Sequence, residues 1–245
     1  YKRQTTVIEM DPFEFLEKIA FLLDNKPTHY PLMWENYCKT IPMPDLAYSE
    51  ISVIGKLIRA LPEPCALHLA NSSTVRYAQL FTVPPQVEIC CNRGVNGIEG
   101  SVSAAVGYAA VSDRLNFLLV GDLSFFYDMN ALWNGHVRSN LRIVVLNNGG
   151  GAIFHALPGL DMAGDTRRFV TASHGASAAG WAESQGFTYL RATDTVSLLA
   201  ALDDLLDEAA TAPVLLEVFT DAETDAEEQR NYYHVIKEEW KNFLR

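Results

Sequence analysis

The sequence lacks the features that mark membrane-spanning, disulfide-stabilised and nucleic-acid-binding proteins. No apolar run reaches the roughly 18 residues that cross a bilayer. There are only four cysteines, and they do not have the spacing of metal ligands, which fits a reducing cytoplasm. The adjacent Cys90 and Cys91 end a predicted strand and are interpreted as small buried side chains. Acidic residues outnumber basic ones, and the net charge of −11 argues against nucleic acid as a partner.

The beginning of the chain also lacks familiar signals. It starts at Tyr1 without methionine and without the apolar core of a signal peptide, so we expect a piece of a longer polypeptide. Helical apolar spacing over 11–24, a segment rich in proline and aromatics over 26–44 and a second helix over 45–61 come first. We therefore predict that residues 1–44 are the tail of a preceding domain with its linker, and that 45–245 form the main domain.

From residue 65 onward, short apolar runs alternate with helical segments. This alternation predicts an α/β fold, a doubly wound parallel sheet flanked by helices. A long loop is predicted over 147–174. The predicted strands are 65–70, 87–91, 117–120, 141–146, 187–190 and 214–219, and the main helices of this region are 101–111, 124–137, 175–185, 196–210 and 227–243.

Polar side chains follow two successive predicted strands. Asp122 follows the strand over 117–120, and Asn148 follows the strand over 141–146, 26 residues later. That interval holds one strand–helix–strand unit, so both side chains are expected at the same edge of the sheet, where ligands bind in such folds. Carboxylate and amide oxygens suit Mg²⁺ bound to a diphosphate. Taken singly, Asp122 is more typical of a helix cap and Asn148 of a turn than of metal ligands.

The two loops carry recognisable strings. Gly121-Asp122-Leu123-Ser124, followed in the next loop by Asn147-Asn148-Gly149-Gly150, resembles the signature of thiamine-diphosphate enzymes. The resemblance implies thiamine diphosphate as the cofactor, with Asp122, Asn148 and the carbonyl oxygen of Gly150 coordinating Mg²⁺ or Mn²⁺. The cofactor-binding residues that it implies are Ser72, Ile98, Gly121, Asp122, Leu123, Ser124, Asn148, Gly150, Ala152 and Ile153.

A more specific resemblance runs from about residue 50 to 220. The strings that carry it are the segments over 71–76, 92–100, 121–132 and 147–154. They are similar to the C-terminal, diphosphate-binding domain of the 2-succinyl-5-enolpyruvyl-6-hydroxy-3-cyclohexene-1-carboxylate synthases, the MenD family. The resemblance implies a transferase of menaquinone biosynthesis that decarboxylates 2-oxoglutarate and adds the succinyl-semialdehyde carbanion to isochorismate.

Residue roles follow from this resemblance. The catalytic residues that it implies are Arg76, Arg93 and Ile98. The two arginines are expected to bind substrate carboxylates, and Ile98 is expected to lie beneath the thiazolium ring and to enforce the bent shape of the cofactor. Without the resemblance, Arg76 is an exposed helical arginine, Arg93 a loop salt-bridge partner and Ile98 a core anchor. The substrate-binding residues implied are Ser72, Arg76, Arg93, Ile153, Phe154 and Leu157.

The same resemblance implies that part of the site is supplied from elsewhere. The glutamate that activates the cofactor is expected on a pyrimidine-binding domain of a second subunit, in a homodimer or homotetramer, so the isolated chain is predicted to be inactive. Glu99 is interpreted as a cap of the 101–111 helix, while His155 and His174 flank the long loop without an assigned role. The alternatives are another thiamine-diphosphate decarboxylase or carboligase, or a non-catalytic cofactor-binding domain.

Overall fold

The protein was analysed as a computed structural model that describes residues 6–23, 29–41, 43–156 and 164–243. The chain divides into two compact units. One contains the described residues of 1–42 together with those of 236–245, and the other contains residues 43–235. The sequence-based limits of 1–44 and 45–245 remain a prediction.

The larger unit is built on one parallel sheet of six strands, ordered β2-β1-β3-β4-β6-β5. All neighbouring strands are parallel, and β3 pairs directly with β4, so that Gly121 lies opposite Leu146. The predicted fold class is confirmed. The strands are β1 (Cys65–Leu69), β2 (Val87–Cys91), β3 (Leu115–Gly121), β4 (Leu141–Asn147), β5 (Thr188–Ala192) and β6 (Val214–Phe219).

Helices precede, connect and follow the strands. A 3₁₀ helix, Met129–Trp133, continues the helix after β3. The α-helices are α1 (Pro12–Leu22), α2 (Tyr30–Thr40), α3 (Glu50–Ala60), α4 (Ser73–Ala78), α5 (Ser101–Val111), α6 (Asp122–Asp128), α7 (Ile153–Ala156), α8 (Gly164–Thr171), α9 (Ala179–Ser184), α10 (Thr195–Leu205) and α11 (Ala222–Phe243).

The sheet is buried on both faces, as a doubly wound fold requires. Successive side chains of a strand point to opposite faces, and β3 shows this directly. Phe117 and Leu119 pack in a core with α3, α4 and α10, whereas Leu118 and Val120 pack in a second core with α5, α6 and α9. All four side chains are buried, which explains why the strand is a continuous apolar run rather than an alternating one.

The start of α3 is set by a capping box. Ser49 is the N-cap in extended conformation, and its hydroxyl accepts from the backbone N–H of Ser52, whose own hydroxyl accepts from the N–H of Ser49. This reciprocal arrangement satisfies two helix-end donors. It makes Glu50 the first residue of α3 and buries it at the carboxyl edge of the sheet.

Two helical regions depart from the sequence-based prediction. Residues 26–44 were predicted as a linker, but α2 occupies Tyr30–Thr40. Its aromatic side chains pack within the smaller unit, with the Trp34 ring stacked on Trp240 at 5.4 Å and Tyr37 edge-on to Trp240 at 4.7 Å. The predicted 147–174 loop contains the short helices α7 and α8.

Two further observations bear on the class of protein. Within the residues that the structure describes, no helix combines the length and the apolar character needed to cross a membrane. The four cysteines are all free thiols.

Candidate functional site

The carboxyl ends of β3 and β4 bring the two predicted polar side chains to one place. Strand β3 ends at Gly121, and α6 begins at the next residue, Asp122. Strand β4 ends at Asn147 and leads directly into Asn148. Because these strands are neighbours in the sheet, the loops that follow them meet, as the sequence predicts.

Asp122 is buried and bonded to backbone donors of both loops. Its Oδ2 accepts from the N–H groups of Gly149, at 3.0 Å, and Gly150, at 2.9 Å. Its Oδ1 accepts from the N–H of Leu123 at 2.6 Å. The carboxylate therefore joins the start of α6 to the turn after β4, with only 3% of the residue exposed.

His174 lies beside this carboxylate. Its Nε2 is 3.3 Å from Asp122 Oδ2, an electrostatic contact without hydrogen-bond geometry. Its Nδ1 accepts from the N–H of Ala176, which leaves Nε2 as the ring nitrogen that faces the acid. Burial raises the pKa of the Asp122 carboxyl. The backbone N–H of Leu123, the His174 ring and the backbone N–H groups of Gly150 and Gly149 oppose that rise. The sequence alone had left His174 without a role.

Asn148 meets two buried acids that the sequence did not single out. Its Nδ2 donates to Glu50 Oε1 at 3.1 Å and to Asp225 Oδ2 at 3.0 Å. Glu50 begins α3, and Asp225 lies in the first turn of α11. The sequence gives little indication that these acids belong to the site, because an acid in the first turn of a helix is common.

Burial dominates the ionisation of these two acids. It raises the pKa of Glu50 well above the ordinary value, and the nearby carboxyl groups of Asp225 and Asp122 raise it further. Burial also raises the pKa of Asp225, but hydrogen bonds from Glu50 N–H, Asn148 and Thr220 counteract the effect. Asp225 therefore has the stronger support for its charged form.

The turn after β4 depends on glycine. Gly149 has a φ of +80° and Gly150 a φ of +146°, which are backbone conformations that residues other than glycine rarely adopt. A Cβ on Gly150 would lie 2.6 Å from the carbonyl oxygen of Thr171. The turn whose N–H groups bond to Asp122 therefore requires glycine at position 150.

The loops after β1 and β2 complete the cleft. Asn71, which is buried, donates through Nδ2 to the carbonyl oxygens of Val95, at 3.2 Å, and Gly97, at 2.8 Å. Ser72 has a φ of +77°, which is uncommon outside glycine and typical of functional sites. The loop is fixed from the other side by Ser124, whose hydroxyl donates to the carbonyl oxygen of Ile98.

All of the predicted cofactor-binding residues line one cleft at this edge, together with Glu50. Arg76 and Arg93 are exposed and are not among its lining residues, so their substrate-binding role remains a prediction. Leu157 lies outside the described residues, and the structure does not describe the side chain of His155. The predicted residues that line the cleft are Ser72, Ile98, Gly121, Asp122, Leu123, Ser124, Asn148, Gly150, Ala152, Ile153 and Phe154.

One smaller interpretation is corrected. Glu99 was expected to cap α5, but the N-cap is Gly100 with a φ of +80°, and α5 receives no side-chain cap bond from the residues that the structure describes. The glycine accommodates the left-handed turn before the helix, so the acid is not needed there. Glu99 is exposed.

The donor set of the cleft fits a hard divalent cation that carries a diphosphate. Asp122 offers a carboxylate, and Asn148, whose nitrogen faces two acids, directs its carbonyl oxygen away from them. Oxygen ligands of this type suit Mg²⁺. The helix α6 begins beside them, and a helix start favours a bound anion. Burial raises the pKa of the Asp122, Glu50 and Asp225 carboxyl groups, and a cation bound beside them would favour their charged forms.

Comparison with known proteins agrees with this geometry. A family model described as "Thiamine pyrophosphate enzyme, C-terminal TPP binding domain" matches residues 71–218. The chain is also similar to curated proteins named 2-succinyl-5-enolpyruvyl-6-hydroxy-3-cyclohexene-1-carboxylate synthase. The one from Phocaeicola vulgatus is 72% identical over 95% of this chain and 42% of its own length.

More distant relatives carry the same name. The protein of Bacteroides thetaiotaomicron is 62% identical over 97% of this chain and 43% of its own length. That of Christiangramia forsetii is 38% identical over 80% of this chain and 34% of its own length. The chain thus spans less than half the length of these relatives, and the resemblance to the synthase family is confirmed. On the match over residues 71–218, the chain belongs to the thiamine pyrophosphate enzyme family and carries its C-terminal TPP binding domain.

Proposed function

We propose that this chain supplies the diphosphate- and metal-binding half of the active site of a synthase that depends on thiamine diphosphate and Mg²⁺. The observation that carries the proposal is the meeting of Asp122 and Asn148 in one cleft, at the carboxyl ends of neighbouring strands. The names of the relatives support the reaction: decarboxylation of 2-oxoglutarate and addition of the resulting four-carbon unit to isochorismate.

The proposed metal ligands are Asp122, Asn148 and the carbonyl oxygen of Gly150, with Mn²⁺ as a substitute for Mg²⁺. When bound, thiamine diphosphate supplies the carbanion chemistry that neither substrate can reach alone. The residues of this chain bind and orient it. Gly121 and Leu123 form the cleft wall at the start of α6, and Ser124 holds the Ile98 segment in place through its hydrogen bond.

The substrates determine what the rest of the cleft must do. Both carry carboxylates, whereas the protein has a net charge of −11. We propose that Arg76 and Arg93 provide the local positive charge, because guanidinium groups bind carboxylates in a bidentate fashion. Ile153 and Phe154 line the cleft and would exclude water from the reacting carbon, with Leu157 as a further wall residue.

The chain is proposed to work as part of a larger protein. We propose that the activating glutamate comes from a pyrimidine-binding domain of a second subunit, that the full protein is a dimer or tetramer, and that this chain by itself is inactive. The free thiols support a reducing, cytoplasmic location. The alternatives are a related thiamine-diphosphate carboligase with other substrates and a domain that binds the cofactor without catalysis.

The decisive experiment identifies the product. The full-length parent protein would be incubated with thiamine diphosphate, Mg²⁺, 2-oxoglutarate and isochorismate, and the products separated by mass spectrometry. The proposal requires CO₂ release together with an adduct of isochorismate. CO₂ release without an isochorismate adduct would favour a related decarboxylase or carboligase, and cofactor binding without turnover would favour the non-catalytic domain. Turnover by the isolated chain would contradict its proposed inactivity.

A further inference from the structure

The side chain of Asn148 is held by two acids that have no role in the proposed metal coordination. Its nitrogen donates one hydrogen to Glu50 Oε1 and the other to Asp225 Oδ2, at 3.1 and 3.0 Å. Both donors of the carboxamide are therefore used. A flipped amide would place its oxygen against two acceptor oxygens, so the contacts select the orientation that presents the oxygen on the opposite side.

Both acids are buried, and Asp225 is itself fixed by hydrogen bonds. Asp225 Oδ1 accepts from the backbone N–H of Glu50 at 2.8 Å, and its Oδ2 also accepts from the Thr220 hydroxyl at 2.8 Å. Asp225 is 1% exposed and Glu50 5% exposed. Asn148 is thus positioned by two buried acids, of which Asp225 is fixed by further hydrogen bonds.

The arrangement is unusual in its charge. Within the described part of the chain, neither Glu50 nor Asp225 has a Lys or Arg within ion-pair distance. Burying acids without a basic partner is costly unless hydrogen bonds compensate. Here the compensation comes from the N–H at the start of α3, from Thr220 and from Asn148. Asp225 alone is sufficient to bond the first N–H of α3, so capping of the helix does not explain why Glu50 is also buried here.

We propose that Glu50 and Asp225 are positioning residues that hold the Asn148 carboxamide with its oxygen directed at the Mg²⁺ site. The inference rests on the proposed function, because it takes Asn148 as a metal ligand. Glu50 needs one acceptor oxygen for this role, whereas Asp225 needs two, since both of its oxygens receive hydrogen bonds. This difference makes the two acids separately testable.

The test measures thiamine diphosphate binding to the full-length parent protein by isothermal titration calorimetry at graded Mg²⁺ concentrations, without substrates. Glu50→Leu removes the acceptor, and Asp225→Asn replaces one acceptor with a donor. Each should raise the Mg²⁺ concentration for half-maximal cofactor binding about 10- to 100-fold, as is typical of second-layer partners of a ligand. Glu50→Gln keeps an acceptor oxygen and should stay within about threefold of the wild type.

A matched control separates positioning from helix capping. Asp194 caps α10 through the N–H of Ser197, as part of a capping box outside the cleft. Asp194→Ala should lower the melting temperature and leave the Mg²⁺ requirement unchanged. If Glu50→Leu does not fold, Thr220→Val removes only a donor to Asp225 and should raise the Mg²⁺ requirement about three- to tenfold.

The outcomes distinguish this inference from the function on which it rests. Wild-type Mg²⁺ requirements in folded Glu50→Leu and Asp225→Asn, or an equal rise in Asp194→Ala, would overturn the positioning role. The same holds if folded Thr220→Val, used in place of Glu50→Leu, shows no rise. An Asp122→Ala protein that binds the cofactor with the wild-type Mg²⁺ requirement would instead overturn the proposed metal site.

Discussion

Asp122 accepts a hydrogen bond from the backbone N–H of Gly150 at 2.9 Å, across the gap between the ends of β3 and β4. The acid begins a helix, and the glycine lies in a turn that follows the neighbouring strand. This bond and the parallel one from Gly149 bring the proposed ligands of both loops together. The geometry of the cleft therefore depends on both the acid and the turn.

The first prediction concerns the Asp122 carboxylate. Asp122→Asn removes a charge and turns an amide donor towards groups that are themselves donors, Leu123 N–H or the glycine N–H groups. We expect Mg²⁺-dependent cofactor affinity to fall by at least about 100-fold, above the range for second-layer partners. Calorimetric titration of the full-length protein checks this.

A matched control is available for that variant. Asp128 is also buried in α6, and it accepts from the backbone N–H and hydroxyl of Ser103 at 2.7 and 2.5 Å. Asp128→Asn should destabilise the fold but leave the Mg²⁺ requirement unchanged. A comparable loss of Mg²⁺ dependence in both variants would show that the Asp122 effect is only structural.

The second prediction concerns the Gly150 turn. Gly150→Ala places a methyl group 2.6 Å from the Thr171 carbonyl oxygen at a φ of +146°. We expect a loss of about 1–3 kcal/mol in the free energy of unfolding, together with weaker cofactor binding. Gly107 is the comparison, because it lies within α5 with open space around it. Gly107→Ala should raise the free energy of unfolding by about 0.5–1 kcal/mol, since alanine favours the helix over glycine. Urea unfolding measures both, and equal effects would contradict the strain argument.

The third prediction concerns Arg142, which is fully buried in β4. Its guanidinium donates to the carbonyl oxygens of Leu205, at 2.8 Å, and Asp207, at 2.6 Å, so it ties the strand to the end of α10. Arg142→Met should cost on the order of 3 kcal/mol, because the buried carbonyl oxygen of Leu205 and the partly buried one of Asp207 lose a charged donor. Exposed Arg138 is the comparison, and Arg138→Met should cost less than about 1 kcal/mol. A similar cost for both in chemical denaturation would refute the prediction.

The fourth prediction concerns pH. Burial lowers the pKa of His68 below its ordinary 6.5, against opposing effects of Asn116 and Glu88. The unfolded chain therefore binds a proton more readily, and stability should fall as the pH drops from about 6.5 through the lower folded-state pKa. The slope from this one group is at most about 1.4 kcal/mol per pH unit.

The variant His68→Gln keeps a donor for Asn116 Oδ1, which lies 3.2 Å from His68 Nε2. It should lose that part of the pH dependence. Unfolding free energies measured between about pH 5 and pH 7.5 decide the question, and identical pH profiles for the two proteins would contradict the assignment.

Much of the sheet could be predicted from the sequence because its strands are short continuous apolar runs. The strands predicted over 87–91 and 214–219 match β2 and β6 residue for residue. The α2 helix was missed because its stability comes from aromatic contacts with Trp240, about 200 residues away in the chain. Local spacing contains no information about such contacts.

The candidate site, like the fold, could be predicted only in part. The sequence by itself determined that Asp122 and Asn148 lie at one edge, because parallel neighbouring strands leave no other arrangement. Only the tertiary structure decided which groups surround them. Glu50 and Asp225 lie 98 and 77 residues from Asn148, and they reach it because the starts of α3 and α11 pack at the end of β4. Hydrogen bonds over such separations follow from packing, and no local pattern specifies them.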